Sequence, residues 1–155
     1  MTFSRRKFIA TGLAFIGTSA LFVTAAQAMG QIFGRQGLAI RGYDPVAYFK
    51  VSKPVKGKKE FRTKYKGATW AFASKENLDD FVKSPDKFAP VYGGYCSWAM
   101  SQGRLATTVP EAWDIVDGKL YLNFSLGIRK KWRTNIPKHI KLADKKWPTV
   151  RKKLS

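Results

Sequence analysis

The stretch "EFRTKYKGATWAFAS", residues 60–74, alternates apolar and polar side chains on either side of Lys66-Gly67. A two-residue turn at that pair suits the right-handed twist of the flanking strands. It sets Tyr65 opposite Ala68, Thr63 opposite Trp70 and Phe61 opposite Phe72. Successive strand side chains point to opposite faces, so Arg62 and Lys64 lie on the other side from these residues. The segment reads as a hairpin with an apolar face turned inward and a basic face turned outward. A second hairpin follows from "AWDIVDGKLYLNF", residues 112–124, where Asp117-Gly118 is a strong signal for a turn with positive φ at both central positions. That register places Trp113, Ile115, Leu120, Leu122 and Phe124 on one face. The stretch "AIRGYDPVAYF", residues 39–49, is expected to be extended, with Pro45 restricting it to a sheet edge or a turn.

Around the hairpins the apolar period becomes helical. Ser74 is placed to cap a helix running to about Ser84, with Leu78, Phe81 and Val82 on one face, and Pro85 opens a short turn around Phe88. Cys96 to about Gln102 reads as a helix bounded by Gly93-Gly94 and Gly103. Ile128 and Trp132 share a face; Ile136, His139, Ile140, Ala143 and Trp147 then form an apolar stripe, with Lys138, Lys141 and Lys145 turned away. The expected class is α+β: a small antiparallel sheet built from hairpins, packed by short helices, with a basic C-terminal helix.

The N-terminus carries an address. Arg5, Arg6 and Lys7 precede an uncharged run from Phe8 to Gly34, and Ala26-Gln27-Ala28 has the small-x-small spacing of a cleavage site. The order Ser4-Arg5-Arg6-Lys7-Phe8-Ile9 resembles a twin-arginine export signal, and Thr11, Gly12, Gly17, Thr18 and Ser19 dilute the apolar run after it. Residues 1–28 are therefore expected to be an export signal, and the folded part to be periplasmic. The alternative is an uncleaved anchor, since Phe8 to Ala26 approaches the ~20 residues that cross a bilayer. The remaining chain divides into a linker over 29–38, one domain over 39–148 and a basic tail over 149–155.

Without the signal, 26 Lys and Arg stand against 10 Asp and Glu. This excess predicts an acidic partner. Nucleic acid is not expected outside the cytoplasm, which leaves an anionic membrane surface or an acidic protein partner. From Arg129 to Ser155 there are eleven basic residues and one acid, Asp144. With a single cysteine the chain forms no internal disulfide, so packing must hold it together; all five tryptophans lie beyond the signal.

"GYDPVAYF", "YKGATWAFAS", "LDDFVKSPDKFAPVYGGYC" and "VDGKLYLNFS" occur in an order that resembles the YHS domain family, in its exported single-domain branch, over about Ala39 to Pro148. The resemblance implies a small α+β domain associated with metals, with a metal-transport system as a possible partner. Metal-linked relatives carry cysteines where this chain has Ala47 and Ala73. Trp70 and Ala71 also depart from the family's tyrosine-histidine-serine signature, in the run that ends at Ser74. The cysteine of "YGGYC" persists as Cys96.

Three readings of Cys96 stay open. Cys96 and Met100, four apart, would share a helix face and offer a thiolate and a thioether to a soft ion, copper(I) first, with His139, the only histidine, as a third ligand. A nucleophilic or redox thiol would be favoured by the positive surroundings, but no second cysteine and no group placed to orient His139 accompanies it; no enzymatic activity is expected. The third reading is a cysteine that fills the core. Two functions follow: a non-catalytic periplasmic protein that binds or passes copper through Cys96, or an accessory protein that docks by its basic surface while Cys96 is structural.

Overall fold

The computed structural model describes residues 30–154. The expected export signal over 1–28 lies outside the described residues. The chain begins with two short strands, β1 (Gly34–Arg35) and β2 (Leu38–Ala39), then a 3-10 turn at Ile40–Gly42 and helix α1 (Pro45–Val51). The first hairpin is β3 (Arg62–Tyr65) and β4 (Ala68–Ala71), followed by α2 (Lys75–Lys83) and α3 (Pro85–Phe88). After a 3-10 turn at Val91–Gly94 come α4 (Ser97–Ser101), the hairpin β5 (Trp113–Val116) and β6 (Lys119–Leu122), then α5 (Leu126–Arg133) and α6 (Ile136–Lys152). Among the described residues no helix is long and apolar enough to cross a membrane.

The architecture is α+β, and both expected hairpins form in the expected register. Tyr65 pairs with Ala68 and Thr63 with Trp70; Ile115 pairs with Leu120 and Trp113 with Leu122. The turns have positive φ at both central residues, Lys66 and Gly67 in one, Asp117 and Gly118 in the other. The first sheet is mixed, in the order β1-β2-β4-β3, because β2 runs parallel to β4. β1 and the first residue of β2 come from the segment expected to be a linker.

Residues 39–49 depart from the expected extended conformation. Asp44 caps α1, its Oδ1 accepting the N–H groups of Val46 at 2.8 Å and Ala47 at 3.3 Å, and Pro45 opens the helix. Proline suits the first turn of a helix as well as a sheet edge, since its missing N–H has no partner there in any case. The α2 helix is capped by Ser74, whose Oγ accepts the Asn77 N–H at 3.2 Å. Two side chains assigned to buried faces are instead exposed: Val82 at 59% and Phe124, beyond the end of β6, at 50%.

The β5–β6 hairpin divides the core. Leu120 and Leu122 face a cluster containing Val46, Tyr48, Trp70, Phe72 and Phe81. Tyr121, on the opposite face, enters a second cluster with Tyr92, Met100, Trp132 and Ala143. The period of two along β6 thus supplies both clusters. The second cluster packs α4, which Cys96 caps, against α6, which carries His139.

Candidate functional site

Cys96 follows two residues with left-handed backbone, Gly93 at φ 63° and Gly94 at φ 85°, and forms the N-cap of α4. Its sulfur accepts the N–H of Ala99 at 3.5 Å and of Phe124 at 3.3 Å. The thiol lies 3.6 Å from Asn123 Oδ1, which also accepts the Trp98 N–H at 3.1 Å. Since an amide oxygen only accepts, the thiol is the donor in this contact. Cys96 is fully buried. Burial pushes its thiol up from the ordinary value, and the N–H groups of Ala99, Phe124 and Trp98 pull the other way without overcoming it. The result is a neutral thiol that ties the start of α4 to the end of β6. It stands at the wall of a cavity of about 330 Å³ shared with Trp98, Leu105, Phe124 and Ile128.

Met100 and His139 are held elsewhere. Met100 is fully buried in the second cluster beside Trp132. His139, half-buried in α6, has Nδ1 2.8 Å from the Trp132 carbonyl oxygen. A carbonyl only accepts, so Nδ1 carries a hydrogen. Met100 thus belongs to the cluster around the Trp132 side chain and His139 is held at the Trp132 backbone carbonyl, while the hydrogen bonds of the Cys96 sulfur run to Asn123, Ala99 and Phe124. The fit to a soft metal ion is partial. An imidazole whose Nδ1–H is fixed on a carbonyl is oriented as metal-bound histidines are, but the thiol would have to ionise against its burial and surrender its N–H contacts. Among the described residues, no group of three His, Cys, Asp or Glu side chains is arranged to hold a metal ion.

The two alanines standing where the resemblance places cysteines lie at another site. Both backbone N–H groups donate to the Asp44 carboxylate: Ala47 to Oδ1 at 3.3 Å and Ala73 to Oδ2 at 2.8 Å. Asn77 Nδ2 donates to Oδ2 as well, at 2.7 Å. Asp44 is wholly buried, so this carboxylate joins α1, the end of the first hairpin and α2. In the sequence Asp44 falls in the stretch expected to be extended. The signal available for its true role was Asp-Pro at the start of an apolar period, an N-cap followed by a first-turn proline.

The third feature is the basic face of α5 and α6. Asp114 of β5 accepts both Arg129, Nε to Oδ2 at 2.9 Å, and Arg133. Burial would raise the Asp114 carboxyl, but these two guanidinium hydrogen bonds prevail and hold it below the usual carboxylate range. The carboxylate of Asp144 accepts the Tyr92 hydroxyl at 2.8 Å. Among the described residues, exposed Lys130, Lys138, Lys141, Lys145 and Lys153 have no carboxylate within ion-pair distance. No sequence signal foretold the Asp114–Arg129 and Asp114–Arg133 pairs, because residues fifteen and nineteen apart in different elements have no local spacing rule.

Fold and site together define a small α+β domain with a sealed thiol, a buried carboxylate hub and a strongly basic helical face. The YHS domain model matches residues 46–92. The matched segment runs from α1 to the 3-10 turn and includes Ala47 and Ala73; Cys96 lies just beyond it. A comparison with curated proteins and with solved structures finds no match.

Proposed function

We propose that the chain is a non-catalytic, exported YHS-type protein that works by docking: the basic face of α5 and α6 engages an anionic membrane surface or an acidic partner protein in the periplasm, and Cys96 is structural. One observation carries this reading. Asp114 is engaged by two arginines, and among the described residues no carboxylate lies within ion-pair distance of Lys138, Lys141 and Lys145, which leaves this row unpaired on one side of α6. Charge that the fold does not compensate internally is available to a partner. The test is attachment of the purified protein to vesicles containing anionic lipid, and its retention on an acidic protein surface, across a salt series. Attachment is expected to fall steeply as ions screen it, and to drop further in a Lys138→Gln, Lys141→Gln, Lys145→Gln variant. Attachment insensitive to salt, or no attachment to either surface at low salt, rules the reading out.

A second reading, binding or transfer of copper(I), is favoured by His139. Its Nδ1–H is fixed on the Trp132 carbonyl, and Nε2 is left to act as a ligand. Copper(I) titration under reducing conditions, with Cys96→Ser and His139→Gln variants alongside, tests it. Equal binding by all three proteins removes the proposed ligands.

A further inference from the structure

A second cavity, of about 260 Å³, lies away from Cys96 and from the Lys138–Lys145 row. Four cations from four separate elements line it: Lys66 from the β3–β4 turn, Lys87 from α3, Lys119 from β6 and Arg151 from the last turn of α6. One carboxylate accompanies them, Asp86, whose Oδ1 accepts the Tyr65 hydroxyl at 2.6 Å and Lys66 Nζ at 2.7 Å. Lys87, Lys119 and Arg151 have no carboxylate within ion-pair distance among the described residues. The cavity therefore holds a net charge of +3.

Four like charges brought together from sequence positions this far apart repel one another, so the folded state bears a cost unless something offsets it. The walls between them include Ile32, Val91 and the ring of Trp147. Apolar walls lower the local dielectric and strengthen the field in the space they enclose. The chain before β1 closes one side, held by the Phe33 N–H donating to the Gly93 carbonyl at 2.8 Å. An arginine fork with several lysine ammoniums is the donor set that suits a tetrahedral oxyanion, the arginine bidentate and the lysines as point charges.

We propose that this cavity binds a polyvalent oxyanion of the phosphate class, with Arg151, Lys119 and Lys87 contacting the anion and Lys66 positioned at its edge by Asp86. The site does not depend on the docking reading. Trp147 and Arg151, one turn apart, continue the Ile140–Ala143 stripe of α6, whereas Lys138, Lys141 and Lys145 form a different one.

The purified protein is titrated with pyrophosphate and with inorganic phosphate at constant ionic strength set by sodium chloride, followed by calorimetry and by tryptophan fluorescence. Saturable binding at one site is expected. Arg151→Gln and Lys119→Gln should each weaken it about tenfold, since each removes a charge-assisted hydrogen bond. Lys119→Arg should restore most of the affinity, and Lys138→Gln with Lys141→Gln should leave it unchanged. Far-UV circular dichroism confirms that each variant is folded. Vesicles of phosphatidylcholine carrying phosphatidic acid separate the two sources of such a group: displacement of the vesicles by pyrophosphate assigns a lipid headgroup to this cavity, and saturable pyrophosphate binding without displacement assigns a soluble ligand. Absence of saturable binding by either anion, or an equal loss in the Lys138/Lys141 control, overturns the proposal.

Discussion

Asp44 and Ala73 are joined by a 2.8 Å hydrogen bond in which a fully buried carboxylate oxygen accepts a backbone N–H from 29 residues further along the chain. The same carboxylate accepts Asn77 Nδ2 and caps α1 through the N–H groups of Val46 and Ala47. Replacing it with a methyl group leaves these donors without an acceptor in the interior. An unsatisfied buried donor costs about 1–3 kcal/mol, reduced where water or relaxation supplies a partner, so Asp44→Ala is expected to lose about 3 kcal/mol in urea unfolding. Asp44→Asn keeps one acceptor oxygen and should lose less. A loss below about 1 kcal/mol for Asp44→Ala would show that the hub is replaceable.

The same carboxylate brings Ala47 and Ala73 together, the two positions where cysteines are expected from metal-linked relatives. Restoring both thiols, Ala47→Cys with Ala73→Cys, should produce an ultraviolet thiolate-to-metal band on adding Cd²⁺, while the unmodified chain, with its one sealed thiol, shows none. Soft thiolates select such ions. A double variant without the band would mean that the two backbone positions do not direct their side chains to a common point.

Cys96 is expected to behave as a structural thiol. In the folded protein, disulfide reagents should react with it slowly at neutral pH, and rapidly once urea exposes it. Its folded-state pKa is raised by burial, so its contribution to stability is fully present below the unfolded thiol value and is lost as pH climbs from that value through the folded one. The window opens at about pH 8.5. Tyr48, Tyr92, Tyr95 and Tyr121 are raised as well, chiefly by burial, but their contribution is lost only above the ordinary tyrosine range. Stability should therefore decline between about pH 8.5 and 10 in the native chain, and Cys96→Ala should flatten that decline. At neutral pH Cys96→Ala should cost about 1–2 kcal/mol, because the Ala99 and Phe124 N–H groups lose their acceptor. Fast labelling of the folded protein at neutral pH would count against a sealed thiol and strengthen the copper reading.

The hairpins were legible because their information is local. Lys66-Gly67 and Asp117-Gly118 fix the turns, and a period of two fixes the faces on either side. Ser74 as a helix cap was legible for the same reason. The helix at Pro45 was misread because a proline after a polar residue fits a sheet edge as well as a helix start, and the apolar run that follows was read with the wrong period. The hidden parts of the site are non-local. The Cys96 sulfur is bonded to the end of β6, Asp114 to α5, and the four cations of the second cavity come from four elements; no spacing along the chain encodes any of these meetings. The sequence grouped Cys96, Met100 and His139 as candidate ligands of one ion, but it did not show that the sulfur of Cys96 bonds toward Asn123 while His139 turns to the Trp132 carbonyl.

Gly93 explains why "YGGYC" carries paired glycines. Its φ is +63°, and a Cβ built there would stand 1.9 Å from the Gln31 carbonyl oxygen, whereas Gly67, at φ +76°, has nothing within 4 Å of the same position. Both sites impose the left-handed penalty on a side chain, about 1–2 kcal/mol, so Gly67→Ala isolates that term. Gly93→Ala adds a backbone clash that no rotamer relieves. The segment around Gln31 must therefore move away, which breaks the 2.8 Å bond from the Phe33 N–H to the Gly93 carbonyl. The expected outcome is a larger loss of stability for Gly93→Ala than for Gly67→Ala, with faster hydrogen exchange at the Phe33 amide in the first variant alone. Because Gln31 and Ile32 form one wall of the cationic cavity, phosphate affinity should fall in Gly93→Ala too. Equal stability losses with an unchanged Phe33 exchange rate would mean that the close approach does not constrain the segment, and that the paired glycines serve only the turn.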